Sequence, residues 1–357
     1  MTRVLFIATH RPDRAPNQRF RFEQYLPYFA GHGIEAEVSY LLSAEEDRFF
    51  YAPGHHLRKA RILMKHHRKR AMDLRRMDDF DVVFVVREAL LTRSIWFEKS
   101  LKRHKAKFIY DFDDAIWLSD VSDANRRFSW MKNPAKTSKI ISMADVVIAG
   151  NQYLGDYALE YNRNVHIIPT TIDTSIYSPV GKSGQNRKVV IGWSGSITTI
   201  KHFEFAIPFL RRIKAEFGDA VEFRVIGDAN YRNDELGIIG LPWKKDSELD
   251  DLSEFDIGIM PLPDDEWAKG KCGLKGLQYM ALGIPAIMSP VGVNSEIIQH
   301  GVNGFLPSTE QEWFEAISGL INNPLARREM GTAARATVEE RYSTRRWLQR
   351  YVDLIKG

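Results

Sequence analysis

The chain holds a single cysteine, Cys272, in 357 residues, so no disulfide can form within it and no cysteine-built zinc site is available. That agrees with a reducing compartment. It lacks any apolar run approaching the roughly 18 residues needed to span a bilayer, and the stretch at residues 4–8 is too short for the core of a secretion signal. A cytoplasmic protein is the expectation. No G-x-G-x-x-G follows the first apolar run and no Walker lysine pattern occurs, which argues against a nicotinamide oxidoreductase or an ATPase. Excess charge of one sign is lacking too: 50 basic against 46 acidic residues leave +4, too mild to point to nucleic acid.

What is present suits a two-domain globular enzyme. Hydrophobic residues at 44% and charged at 27% are enough to bury a core, and the length fits two domains of about 150 to 180 residues. Short aliphatic and β-branched runs alternate with helical stretches, the pattern of parallel βαβ units. The runs fall at residues 4–9, 35–41, 82–86, 108–111, 146–149 and 165–168, then at 189–193, 222–226, 257–261, 285–289 and 304–306. Between the two sets lies YSPVGKSGQNR, residues 177–187, polar and without periodicity, which reads as a domain boundary. Helices are expected at 309–322, 325–340 and 344–355, with Ser308 and Thr309 as cap candidates for the first. The expected organisation is residues 1–180 as one domain, 187–342 as a second, and 343–357 as a helix that either packs back on the first or serves a dimer. Two Rossmann-like, doubly wound parallel-sheet domains would then face each other across a cleft at the carboxyl ends of their strands.

The strongest local signal is IGWSGSITTIKHFEFAIPFL, residues 191–210: a strand, a turn of small residues (Ser194, Gly195, Ser196) and a helical period from Phe203 onward. Such a turn can bring backbone N–H groups close to a phosphate, although a plain βα connection has the same pattern. The second is WAKGKCGLKGLQYMALGIPAIMSP, residues 267–290. If its helix begins near Cys272, then Lys271, Lys275 and Gln278 descend one stripe, suiting a diphosphate with a sugar hydroxyl a turn below. A solvated helix face is the plainer alternative.

The third is YDFDDAIW, residues 110–117, where Asp111, Asp113 and Asp114 crowd the end of a strand. Mutual repulsion would raise the pKa of one or favour a cation there, while strand-end acids also serve simply as loop formers. Arg19 and Arg21, with Arg11 and Arg14 before them, follow the first strand and offer planar guanidinium groups to an anionic acceptor. Residues 55–76 carry nine Lys or Arg, four His and one acid, Asp73, interleaved with apolar residues. The segment 55–77 therefore suits either an anionic lipid surface or a solvated basic helix.

Taken together, residues 146–151 with Tyr153 and Leu154, IIPTTID, QYMALGIPAIMSPVG and EIIQHGVNGFL resemble the retaining, nucleotide-sugar-dependent family 4 glycosyltransferases of the GT-B fold. The likeness covers most of residues 140–345; NQRFRFEQYLPYFAGHGIEAEV resembles the opening helix and second strand of some members. It implies sugar transfer from a nucleotide diphosphate sugar, of UDP or GDP type, to a hydroxyl acceptor such as a saccharide or lipid-linked saccharide. Cell-surface polysaccharide or glycolipid assembly on the cytoplasmic side, peripheral to the membrane, is the setting it suggests.

The resemblance places Lys201, Gln278 and Glu296 at the nucleotide sugar and Asp113 at the reacting centre. The residues themselves add Ser194, Gly195, Ser196 and Thr198 to the nucleotide-sugar site, Lys271 and Lys275 as catalytic cations that compensate for the altered family pattern, and Arg19, Arg21 and Asp111 as acceptor ligands. The family pattern is altered here. Of its two glutamates eight positions apart, Gln278 takes the later place and Gly270 the earlier, so a donor-sugar ligand must come from elsewhere, with Asp265 or Glu266 available. Ser196 stands where the family's phosphate-binding arginine would be, Lys201 falls near its lysine, and Asp113 and Asp114 replace a His-Asp pair. No metal and no obligatory cofactor is expected. The rival readings are a nucleotide-sugar epimerase on the same fold and a non-catalytic membrane-surface binding protein.

Overall fold

The computed structural model describes residues 1–52, 54–118, 135–179 and 188–357. Of the proposed boundary at 177–187, residues 180–187 therefore lie outside the described residues. The chain divides into two compact units, Met1–Thr170 together with Trp347–Gly357, and Thr171–Arg346.

Unit 1 is built on six parallel strands: β1 (Thr2–Ala8), β2 (Ile34–Tyr40), β3 (Val82–Val86), β4 (Lys107–Phe112), β5 (Val146–Ala149) and β6 (Val165–Ile167), in the order β2-β1-β3-β4-β5-β6. β3 and β5 are buried at every position and β4 at all but its first, which is why their apolar runs are unbroken. Phe6 stacks between Phe22 and Phe29 at 4.9 and 5.9 Å and meets Phe84 at 5.0 Å. The last helix, Thr344–Lys356, contributes Tyr351, whose ring lies 4.5 Å from that of Tyr25 in the same core. A 20-residue helix, His56–Arg75, buries Ile62, His66, Arg70, Asp73 and Leu74.

Unit 2 carries five parallel strands: β7 (Val189–Ser194), β8 (Val221–Ile226), β11 (Ile257–Met260), β12 (Ala286–Met288) and β13 (Gly304–Phe305), ordered β13-β12-β11-β7-β8. A small antiparallel pair, β9 (Arg232–Asn233) with β10 (Ile238–Ile239), was not anticipated from the sequence. Two-residue strands are too short to leave a periodic signal. Thr309 caps the helix Glu310–Asn322 in a reciprocal capping box with Glu312, and Phe209 stacks on Trp313 beneath it at 4.7 Å. Helix Pro324–Thr337 is capped by Asn323 and closes in a wider turn at Val338–Tyr342.

These are two doubly wound parallel-sheet domains with a helical end, the fold class expected. One expected start is corrected. The helix placed near Cys272 begins at Leu274, because Gly273 takes a φ of +70° and caps it. A Cβ at Gly273 would meet Ile297 Cδ1 at 2.3 Å, so the turn needs glycine for both conformation and space.

Candidate functional site

In unit 2 the strand order turns between β7 and β11, and open parallel sheets bind ligands in the crevice at such a point. β7 ends at Ser194, whose N–H donates to the Tyr279 hydroxyl at 2.8 Å, and the next N–H, of Gly195, donates to Ile226 O at 2.8 Å. A Cβ on Gly195 would lie 2.1 Å from the Trp193 ring, so the turn hugs the strand it leaves. The turn is then tied by hydroxyls: Ser196 N–H donates to Thr199 Oγ1 at 2.9 Å, and Ser196 Oγ lies 3.0 Å from Thr198 Oγ1. Ser196, Ile197 and Thr198 are exposed.

Three lysines act electrostatically on one side chain that follows this turn, His202. Burial pushes the His202 imidazole down to about 4, and the positive charges of Lys275, Lys271 and Lys201 add to that shift while Asp265 opposes it. One imidazole therefore feels all three lysines together. His202 is itself buried, with no hydrogen-bond partner for Nδ1 among the described residues. Lys271 Nζ sits 4.8 Å from the Trp267 ring centroid and Lys275 Nζ 5.4 Å from that of Trp193, contacts that hold cations on aromatic faces. Lys271 lies in the loop before the helix and Lys275 in its first turn, so of the ladder expected from spacing only Lys275 and Gln278 stand on the helix.

Gln278 is placed otherwise than expected. It is buried in helix Leu274–Ala281, and its Nε2 donates to Tyr177 Oη at 3.1 Å and Glu248 Oε1 at 3.2 Å. Tyr177 Oη and Trp243 Nε1 also donate to Glu248, at 2.8 and 2.9 Å, so the amide closes an internal network around one buried carboxylate. Its donor group is thereby engaged within unit 2, which leaves only the carbonyl Oε1 outside this network. Asp265 caps the short helix Glu266–Lys269 through Ala268 N–H at 2.7 Å, and Glu266 pairs with Lys269 at 2.8 Å. Glu296 is exposed in the first turn of Asn294–Ile297.

In unit 1 the order turns between β1 and β3. Arg21, expected to face an anionic acceptor, is fully buried and forks onto Asp111, with Nη2 to Oδ1 at 2.5 Å and Nε to Oδ2 at 3.1 Å, while Nη1 donates to Ile168 O at 2.6 Å. Burial works against the guanidinium charge, and the Asp111 carboxylate more than offsets it, raising the Arg21 pKa well above the ordinary value. Arg21 and Asp111 are therefore corrected from acceptor ligands to an internal pair. Arg19 is also buried, over the Phe20 ring at 4.8 Å and 3.9 Å from Asp13. Asn17 and Gln18 of the same segment are buried as well, and Gln18 Oε1 and Nε2 clasp the backbone of His10 at 2.8 and 3.0 Å.

Asp113 stays at the carboxyl edge, where Arg87 meets its Oδ1 through Nε at 2.7 Å and Nη2 at 2.6 Å; Nη2 also lies 3.6 Å from Asp114 Oδ2. His10, just beyond β1, is lowered to about 4 by burial, with Arg14 and Arg87 adding and Asp47 opposing. Arg87 and His10 were not singled out from the sequence. The available signal was a charged residue directly after the buried run VVFVV of β3.

Residues 188–323 match the family model described as Glycosyl transferases group 1, which covers less than half of the chain. No curated protein matches the chain. Among solved structures, HepE of Anabaena in complex with UDP and glucose is similar over 100% of both chains, at 15% identity and a TM-score of 0.70. Sucrose-phosphate synthase of Thermosynechococcus elongatus is similar over 100% of this chain and 98% of its own, at 14% identity and 0.71. An alpha-glucosyltransferase in complex with UDP is similar over 100% of both, at 12% identity and 0.67. These likenesses establish the GT-B fold. With the group 1 match they agree with the enzyme class read from the sequence, a glycosyltransferase.

Proposed function

We propose that this protein transfers a sugar from a nucleotide diphosphate sugar, of UDP or GDP type, to a hydroxyl of a saccharide or lipid-linked saccharide, with retention at the anomeric carbon. The observation that carries the reading is Lys275 Nζ seated 5.4 Å from the Trp193 ring, at the end of the strand that leads into the Ser194–Thr198 turn at the switch point of unit 2, with the charges of Lys271 and Lys201 joining it in acting on His202. A departing nucleoside diphosphate carries the charge that develops in the reaction, and fixed cations outside bulk water are the means of stabilising it. Lys271 and Lys275 take that role, with Lys201 and the hydroxyls of Ser196 and Thr198 completing the cradle. Glu296 and Asp265 are the carboxylates proposed for the donor's hydroxyls. Asp113, at the carboxyl edge of unit 1, is proposed to orient the acceptor.

The membrane setting is supported by helix His56–Arg75. Leu57, Met64 and Met72 are 82%, 58% and 60% exposed, and at spacings of three and four residues they share a face with exposed Arg61, Arg68 and Arg75. Apolar side chains among cations on one exposed face suit anionic headgroups. Among the described residues no helix is long and apolar enough to cross a membrane. The reading is tested by thermal shift against UDP, GDP and their sugars, since a ligand of the folded state raises the melting temperature by mass action. A diphosphate-dependent rise supports it; no response to any nucleotide overturns it.

A further inference from the structure

Arg87 is one of three non-glycine residues of unit 1, with Asp13 and His55, that take a positive φ among the described residues. Its φ is +58°, in the left-handed region where a long side chain is a genuine outlier. Glu88 N–H donates to Val86 O at 2.7 Å, an i to i+2 bond that closes a γ-turn with positive φ at its centre, a rare and strained form. The turn is held from both sides: Arg87 N–H donates to Asp111 O at 2.8 Å, and the Tyr110 hydroxyl donates to Arg87 O at 2.8 Å. Glycine would adopt this conformation without strain, yet the chain keeps an arginine there.

The strain is not explained by stability. Where unit 1 uses arginine internally, the pair is buried, as in Arg21 with Asp111 and Arg70 with Asp73. The Arg87 side chain is 28% exposed and that of Asp113 13%, at the carboxyl edge of β3 and β4. A partly exposed pair adds less to folding than those buried forks. What the turn does achieve is to bring two nitrogens of one guanidinium onto a single carboxylate oxygen, Asp113 Oδ1, so that the carboxyl group is fixed in orientation. Strain kept by surrounding bonds at such an edge is the signature of a preset functional group.

We propose that Arg87 is a positioning residue, whose guanidinium sets the Asp113 carboxylate to accept a hydrogen bond from a sugar hydroxyl at the carboxyl edge of unit 1. This rests on the reading of Asp113 as an acceptor-orienting group. The test compares Arg87→Gly, Arg87→Lys, Asp113→Asn and the double variant Arg87→Gly with Asp113→Asn in the full chain. Release of nucleoside diphosphate from UDP-glucose and GDP-mannose is followed with methyl α-glucoside and water as acceptor probes, alongside the melting temperature.

Arg87→Gly should melt no lower than the unaltered protein, because strain is relieved, yet lose roughly 10- to 100-fold in kcat with donor KM held within about twofold. Arg87→Lys should recover part of the loss, and in the Asp113→Asn background Arg87→Gly should cost nothing further. Full kcat in Arg87→Gly with a disabled Asp113→Asn overturns the proposal alone; so does a fall in melting temperature that accounts for the lost rate and that lysine does not rescue. Full kcat in Asp113→Asn overturns the reading beneath it. No release by the unaltered chain from either donor overturns the proposed transfer and this role together.

Discussion

Unit 1 and unit 2 wind their sheets the same way, β2-β1-β3-β4-β5 in one and β8-β7-β11-β12-β13 in the other, but they handle charge at the carboxyl edge differently. In unit 1 cations meet carboxylates: Arg21 with Asp111, Arg87 with Asp113, Lys136 with Glu88, Arg14 with Asp47. In unit 2 the charges of three lysines act on one neutral imidazole that follows a turn of small hydroxyl residues, and two of the lysines lie on tryptophan faces. The common topology thus provides a place, and the side chains decide its use. A paired edge orients neutral hydroxyl groups, whereas gathered ammonium groups favour an anion that arrives from solution.

The contrast can be broken most severely at the buried pair of unit 1. Asp111→Ala leaves Arg21 charged in a site with no water and should cost about 3 to 5 kcal/mol in urea denaturation. Replacing both partners by apolar residues of similar size should recover much of that; a neutral Asp111→Ala would mean that the pair is not the strut described. Next comes the lysine cluster: Lys275→Ala should lower kcat by about 100- to 1000-fold with every nucleotide sugar, at an unchanged melting temperature. Turnover equal to the unaltered protein would remove the central assignment of unit 2.

Smaller effects sharpen the comparison. Arg68→Glu on the exposed face of helix His56–Arg75 should weaken binding to phosphatidylserine vesicles, each basic residue near the surface being worth about 1 kcal/mol. No binding of the unaltered chain to such vesicles would end the membrane reading. The pH dependence concerns His202. Its folded pKa near 4 lies below the ordinary value of 6.5, so the unfolded chain takes up the proton first as pH falls. Stability that this residue contributes is present above 6.5 and lost as pH drops toward 4. His10 and His66 in unit 1 are lowered to about 4 as well, so His202→Gln should flatten the acid loss of unit 2 only, read as urea midpoints at pH 7 and pH 5.

Most strands of both sheets were legible because a strand covered on both faces must be apolar at nearly every position, and VVFVV or VVIA admits little else. The two-residue β9 and β10 left no such trace. At the candidate site, the turn after β7 and the two lysines of residues 267–290 were visible as residue types. Their geometry was not. A helix begun two residues early put Lys271, Lys275 and Gln278 on one stripe, whereas the left-handed Gly273 leaves Lys271 outside the helix, and Gln278 finds its partners in the buried Glu248 and Tyr177, 30 and 101 positions away. Arg21 and Asp111 are 90 positions apart, and nothing local tells an arginine that seeks a carboxylate inside the fold from one that awaits a ligand outside it. Arg87 was hidden for a related reason, since its importance lies in a backbone angle.

The most direct test is calorimetric titration of the full chain with UDP, GDP and the matching monophosphates, repeated with Lys271→Ala and Lys275→Ala. The account predicts that one diphosphate binds, that its monophosphate binds more weakly, and that each lysine variant loses most of that difference. Equal affinity for mono- and diphosphate, or diphosphate binding untouched by both substitutions, would contradict it.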